Sequence, residues 1–123
     1  MKPVEAFKKK FDKELKTGLL SMLVMLAIDR TKEPSYGYAI IRTLESISKG
    51  SLDFPEGTVY PILNSLAERG FLESSWGNPI RGPMRKYYKI TAEGRDALRM
   101  CLEDWRKVSK ATEELIERME ASE

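Results

Sequence analysis

Gly57-Thr58-Val59-Tyr60-Pro61-Ile62-Leu63-Asn64-Ser65-Leu66 follows helical periodicity yet carries a proline inside it. Val59, Ile62, Leu63 and Leu66 recur on one face, which the spacing assigns to a core. The other face holds Thr58, Tyr60, Pro61, Asn64 and Ser65, a small, polar and aromatic surface suited to meeting a partner. Pro61 lies six residues past Pro55, read as the first helical residue. In that place it removes a backbone donor at a cost of about 3 kcal/mol unless the first turn is irregular. A local rule broken in this way marks a functional surface.

Working outward, Val4, Phe7, Phe11 and Leu15 form one apolar stripe among lysines, a helix that needs another surface to cover it. A second helix is expected over about Thr17 to Arg30, apolar nearly all round and therefore central. Ser35 is expected to cap a third, carrying Ile40, Ile41, Leu44 and Ile47 and ending near Lys49-Gly50. The opening stretch is the fourth, from about Pro55 to Arg69, closed by Gly70. Beyond Gly70 the period changes to two. Phe71 to Trp76 and Met84 to Ile90 read as a hairpin whose loop holds two Gly, two Pro and Arg81. Thr91 then caps a last helix from about Ala92 to Ala121.

Helix, helix, helix and hairpin with a basic loop is the element order of a winged helix-turn-helix, mainly α with a small β-hairpin. Residues 1-15 are read as an N-terminal helix for a dimer interface, 16-91 as the winged helix-turn-helix and 92-123 as a dimerisation helix.

Composition removes whole classes of chemistry. The 123 residues contain no histidine and one cysteine, Cys101. That excludes His-based acid/base catalysis, Cys/His metal clusters and internal disulfides. No enzyme, metal site or cofactor is expected. Glu113, Glu114 and Glu117 are better read as a solvated helix face beside Arg118. The lone thiol and the absence of a secretory pattern point to the cytoplasm. The Leu19 to Ile28 apolar run is half the length a bilayer requires. Net charge is only +2, but residues 81 to 95 hold Arg81, Arg85, Lys86, Lys89 and Arg95 against Glu93 alone. The first seventeen residues carry six lysines against three acids.

Several motifs together resemble the PadR family of bacterial and archaeal transcription regulators. They are Tyr36-Gly37-Tyr38, Gly57-Thr58-Val59-Tyr60-Pro61-Ile62-Leu63, Arg69-Gly70-Phe71-Leu72-Glu73, Trp76-Gly77, and Arg85-Lys86-Tyr87-Tyr88-Lys89-Ile90-Thr91 with Gly94, in that order over residues 16 to 95. The resemblance implies a homodimeric regulator, usually a repressor, that reads double-stranded DNA at a palindromic operator. It assigns DNA contact to Tyr36, Thr58, Tyr60, Pro61, Asn64 and Ser65, with Arg81, Arg85 and Lys86 at the wing. One departure stands out. Asp53 to Glu73 hold only Arg69 against four acids, so phosphate anchoring falls more heavily on the wing and the N-terminal lysines. Asn64 suits a bidentate pair with adenine. For Asn64 and Ser65 an ordinary wet helix face, and for Tyr60 a ring packed on the neighbouring helix, are the competing readings. Lys89 and one of Tyr87 or Tyr88 are expected to serve the sheet.

The last helix places Leu98, Cys101, Trp105, Val108, Thr112, Leu115 and Met119 at alternating spacings of three and four. Thirty helical residues span about 45 Å, against a radius of gyration of about 14 Å for a compact chain of this length. That stripe, with Leu102 and with Val4, Phe7, Phe11 and Leu15, is therefore assigned to a dimer interface. Trp105 is read as a packing anchor or, following some short members of the family, as part of a slot for a planar aromatic small molecule, flanked by Leu102 and Ser109. The alternative function is a winged-helix protein-protein interaction module without specific DNA binding. No membrane partner is expected.

Overall fold

The structure, a computed structural model, describes residues 2-31, 33-78 and 82-122. Helix α1 runs over Pro3–Asp29, followed by a short strand β1 (Ser35–Tyr36), α2 (Gly37–Ile47), α3 (Glu56–Glu68), β2 (Leu72–Gly77), β3 (Arg85–Ile90) and α4 (Ala92–Ala121). The strands form an antiparallel sheet in the order β1-β3-β2. Tyr36 pairs with Tyr87, and β2 runs against β3 from Leu72 opposite Ile90 to Gly77 opposite Arg85.

The core is built from one face of each element. Leu20, Val24, Met25 and Ile28 of α1 meet Ile40, Ile41 and Leu44 of α2, Val59, Leu63 and Leu66 of α3, and Leu72, Tyr88 and Ile90 of the sheet. Leu98 closes this core from α4.

Four expectations are corrected. The two N-terminal helices are one: α1 passes through Thr17 and Gly18 without a break. Gly18 has open space around it and an ordinary helical backbone, so a single glycine there costs about 1 kcal/mol relative to alanine and does not end the helix. Ser35 does not cap α2. It lies in β1 opposite Tyr88, and Tyr36 is the residue before the helix, with no side-chain cap. The hairpin gains β1 as a third strand, and Pro55 precedes α3 rather than opening it.

Two junctions fix the frame. After α2, Ser48 Oγ donates to Leu44 O (2.7 Å) and accepts from Leu52 N (2.8 Å), holding the turn into α3. Lys49 and Gly50 both adopt positive φ there, 54° and 85°. At the base of the wing, Thr91 Oγ1 donates to Gly70 O (2.7 Å) and accepts from Gly94 N (3.0 Å). Gly94 lets α4 press onto the strand, since a β-carbon there would overlap Phe71 O and stand 2.8 Å from Ile90 Cγ1. Arg95 Nε then joins Asp29 Oδ1 at 3.2 Å, tying the start of α4 to the end of α1.

Candidate nucleic-acid interface

Pro61 is accommodated inside α3 and remains exposed. The helix turns Val59, Leu63 and Leu66 inward, so Tyr60 and Asn64, one turn apart, share the outward face. That face opens into a cleft of about 570 Å³ bounded by Tyr36 of β1 and the first residues of α2 (Gly37, Tyr38), by Tyr60 and Asn64, and by the wing through Trp76, Met84, Arg85, Lys86 and Tyr88. The sequence assignments Tyr36, Tyr60, Asn64, Arg85 and Lys86 are thus brought together from three elements.

Both tyrosine contacts and cations are ordered within it. The Arg85 guanidinium lies 4.4 Å from the Tyr36 ring centre, and Tyr36 meets Tyr87 edge to face at 5.7 Å. Lys86 Nζ lies 5.9 Å from the Tyr88 ring. These aromatic faces hold the two cations at the cleft without neutralising them. Tyr60 is 38% exposed, with the inner edge of its ring against Gly37. Its phenol is pushed above the ordinary range by desolvation and then by the nearby Glu56 carboxylate. Tyr88 is shifted the same way, by burial first and by Tyr60 second. Both hydroxyls therefore stay protonated and able to donate at neutral pH.

Other assigned residues lie elsewhere. Thr58 turns toward α1, in a recess with Lys13, Lys16, Asp53 and Phe54. Its position at the start of α3 places it one face away from Asn64. Lys16 is paired there with Asp12 at 3.1 Å. Ser65 is half-buried and lies 3.5 Å from Arg69 Nε. Arg81 lies outside the described residues. Of the sheet assignments, Tyr88 is buried but Lys89 is exposed.

Tyr38, which the sequence reading named only within a motif, also lines the cleft, with Arg42 one turn along α2. Arg42 Nη1 donates to Tyr38 Oη at 3.2 Å, and that bond raises the guanidinium pKa further. Their spacing of four, off the Ile40-Ile41-Leu44 stripe, was the available signal. Trp76 entered only as part of the wing motif, yet it is 65% exposed.

A second surface is apolar. Val4, Phe7, Phe11 and Leu15 of α1, and Trp105, Val108, Leu115 and Met119 of α4, are all exposed. Leu98, assigned to the same surface, is instead in the core at 4% exposure, and Cys101 and Leu102 pack half-buried against that core. The first turns of α4 dock on their own domain, while the later turns of the same heptad pattern are exposed. Trp105 borders a groove of about 480 Å³ with Leu15, Leu19, Met22, Cys101 and Val108. Leu102 and Ser109 occupy the other flank of Trp105 and do not line that groove. Ser109 donates to Arg106 O at 3.2 Å.

Two helices joined by a tight turn, a third helix behind them and a hairpin at their side define a winged helix-turn-helix protein. The chain belongs to the Transcriptional regulator PadR-like family, whose sequence profile matches residues 24–100. It is similar to the solved PadR family transcriptional regulator from Eggerthella lenta, 30% identical, covering 92% of this chain and 95% of that one with a TM-score of 0.79. A PadR-like transcriptional regulator from Bacillus cereus is 28% identical over 84% of this chain and 96% of its own, TM-score 0.70. Among curated proteins, an uncharacterised protein of Lysinibacillus sphaericus is 26% identical over 100 residues, 81% of this chain and 89% of that protein. The chain is a transcriptional regulator. Among the described residues, no helix is long and apolar enough to cross a membrane.

Proposed function

We propose that this regulator is a cytoplasmic homodimer that binds a palindromic DNA operator and represses transcription from it. The observation that carries the reading is the cleft in which Asn64 and Tyr60 of α3 meet Tyr36, Arg85 and Lys86. A helix bearing an amide and a phenol, beside two aromatic-held cations, matches base-edge readout flanked by phosphate anchoring. Pro61, exposed on α3, edges the contact, and the sequence assigns Arg81 to the basic wing loop.

The apolar surface of α1 and α4 supports self-association through a twofold axis. Such a dimer sets its two α3 helices about 34 Å apart, one turn of DNA. Trp105, with Leu102 and Ser109 on one flank and the α1 groove on the other, is the seat we assign to a planar aromatic effector. An effector acts there by binding DNA-free and DNA-bound spacings with different affinity.

The acid-rich span from Asp53 to Glu73 favours a second reading, in which α3 grips a protein partner. A fluorescence-anisotropy titration on duplexes tiled across the upstream region, with excess unrelated duplex and at two salt concentrations, separates the two. Selective binding to one tile at two protomers per site is the expected result. Equal weak binding to every tile that vanishes with salt favours the protein-partner reading.

A further inference from the structure

The wing carries an apolar pair that neither the core nor base readout by α3 uses. In the β2–β3 ladder, Leu72, Ser74 and Trp76 lie opposite Ile90, Tyr88 and Lys86. Alternation puts these side chains on one face of the sheet. At the inner end of that face Leu72, Tyr88 and Ile90 are buried in the core. Trp76 lies past the edge of that core, 65% exposed, and Met84, just before β3, is 55% exposed. Both line the cleft that holds Asn64, Arg85 and Lys86. Lys86 is directly opposite Trp76 across the ladder.

A tryptophan carries one of the largest apolar surfaces of any side chain, and the core is complete without this one. The cations beside it are decisive for what covers it. A partner surface must be apolar at its centre and anionic at its margins. The wall of a DNA minor groove has that pattern: deoxyribose C–H edges bounded on both sides by phosphates.

We infer that Trp76 and Met84 form an apolar wedge that seats on the deoxyribose wall of the groove flanking the α3 contact, with Arg85 and Lys86 on the bounding phosphates. This rests on the DNA-binding reading above and adds to it a salt-insensitive part of the affinity. Apolar contact with sugars releases no counterions, so the wedge and the cations separate by their salt dependence.

The experiment compares the full chain with its Trp76→Phe, Trp76→Ala and Lys86→Ala variants on the duplex selected by the tiling titration. Because Trp76 is exposed, circular dichroism and melting are expected to match the parent for all its variants. Acrylamide quenching of the parent minus that of Trp76→Phe isolates the Trp76 signal, free and at saturating duplex. Trp76 is expected to become severalfold less accessible on binding. Trp76→Ala is expected to weaken binding about tenfold with an unchanged salt slope, and Trp76→Phe to recover most of it. Lys86→Ala is expected to reduce the slope by about one. Saturated binding with Trp76 still fully quenched, or Trp76→Ala binding like the parent, overturns the wedge while leaving DNA binding intact. A parent chain that binds no duplex overturns both.

Discussion

The ring of Tyr60 lies against the α-carbon of Gly37, so that a β-carbon at Gly37 would stand 2.8 Å from Tyr60 Cζ and 3.0 Å from its hydroxyl oxygen. Helices α2 and α3 therefore meet through one glycine and one phenol at the wall of the cleft. Gly37→Ala is expected to push the ring out into the cleft, lowering stability by about 1 to 3 kcal/mol and weakening duplex binding. A thermal melt and an anisotropy titration read the two effects. Binding unaltered alongside a lower melting temperature would show that Tyr60 is a packing residue only.

The same contact has a signature at high pH. Tyr60 and Tyr88 both have phenols raised above the ordinary 10.0, chiefly by desolvation. As pH climbs past that value, the unfolded chain gives up these protons first and is favoured relative to the folded one. Stability is thus full below the unfolded value and is lost as pH rises through the raised folded values. Denaturant midpoints measured across the alkaline range should fall more steeply for the parent than for Tyr60→Phe. Identical slopes would remove Tyr60 from the effect.

Asn64 shares its face of α3 with Tyr60 and lines the cleft. Asn64→Ala is expected to weaken operator binding by about 1 to 3 kcal/mol and to relax preference at one base pair per half-site. Binding to a set of single-base operator variants checks this, with the assembly state held the same. An unchanged base preference returns Asn64 to an ordinary solvated face.

Phe7 and Phe11 are exposed in the single chain, at 69% and 56%. Replacing both with Asp should leave the fold and its melting intact, because neither side chain contributes to the core. Sedimentation is then expected to show a monomer at concentrations where the parent is a dimer. A variant that still sediments as a dimer would shift the interface away from the N-terminal half of α1.

Thr91 bonds both Gly70 O and Gly94 N. Thr91→Val keeps the shape and deletes both bonds, with an expected loss of about 0.5 to 2 kcal/mol. Chemical denaturation measures it. A loss within error would mean that the close packing of Gly94 on Phe71 holds the junction alone.

Most of the fold was legible because its signals are local. The 3.6-residue stripe of α3, the change to a period of two after Gly70, and the Thr91 cap each identify an element without tertiary information. What escaped depends on contacts across the chain. Strand β1 is two residues long and exists only because Ser35 and Tyr36 pair with Tyr88 and Tyr87. Leu98 and Trp105 follow one heptad rhythm, yet the former is buried in the core and the latter exposed, since periodicity marks an apolar face without saying what meets it. At the cleft, the family resemblance pointed to Tyr36, Tyr60, Asn64, Arg85 and Lys86, all of which line it. Thr58, assigned to the same contact, lies instead in a recess with Lys13 and Lys16, because its position on α3 turns it toward α1.

Helix α1 has its outer half in solvent and its inner half in the core, with no hinge between them. A rod of this kind, about 40 Å long, turns a tilt of about 3° at one end into a displacement of about 2 Å at the other. Anything bound at the phenylalanine end would hold a lever on the winged domain through the stiffness of this one helix.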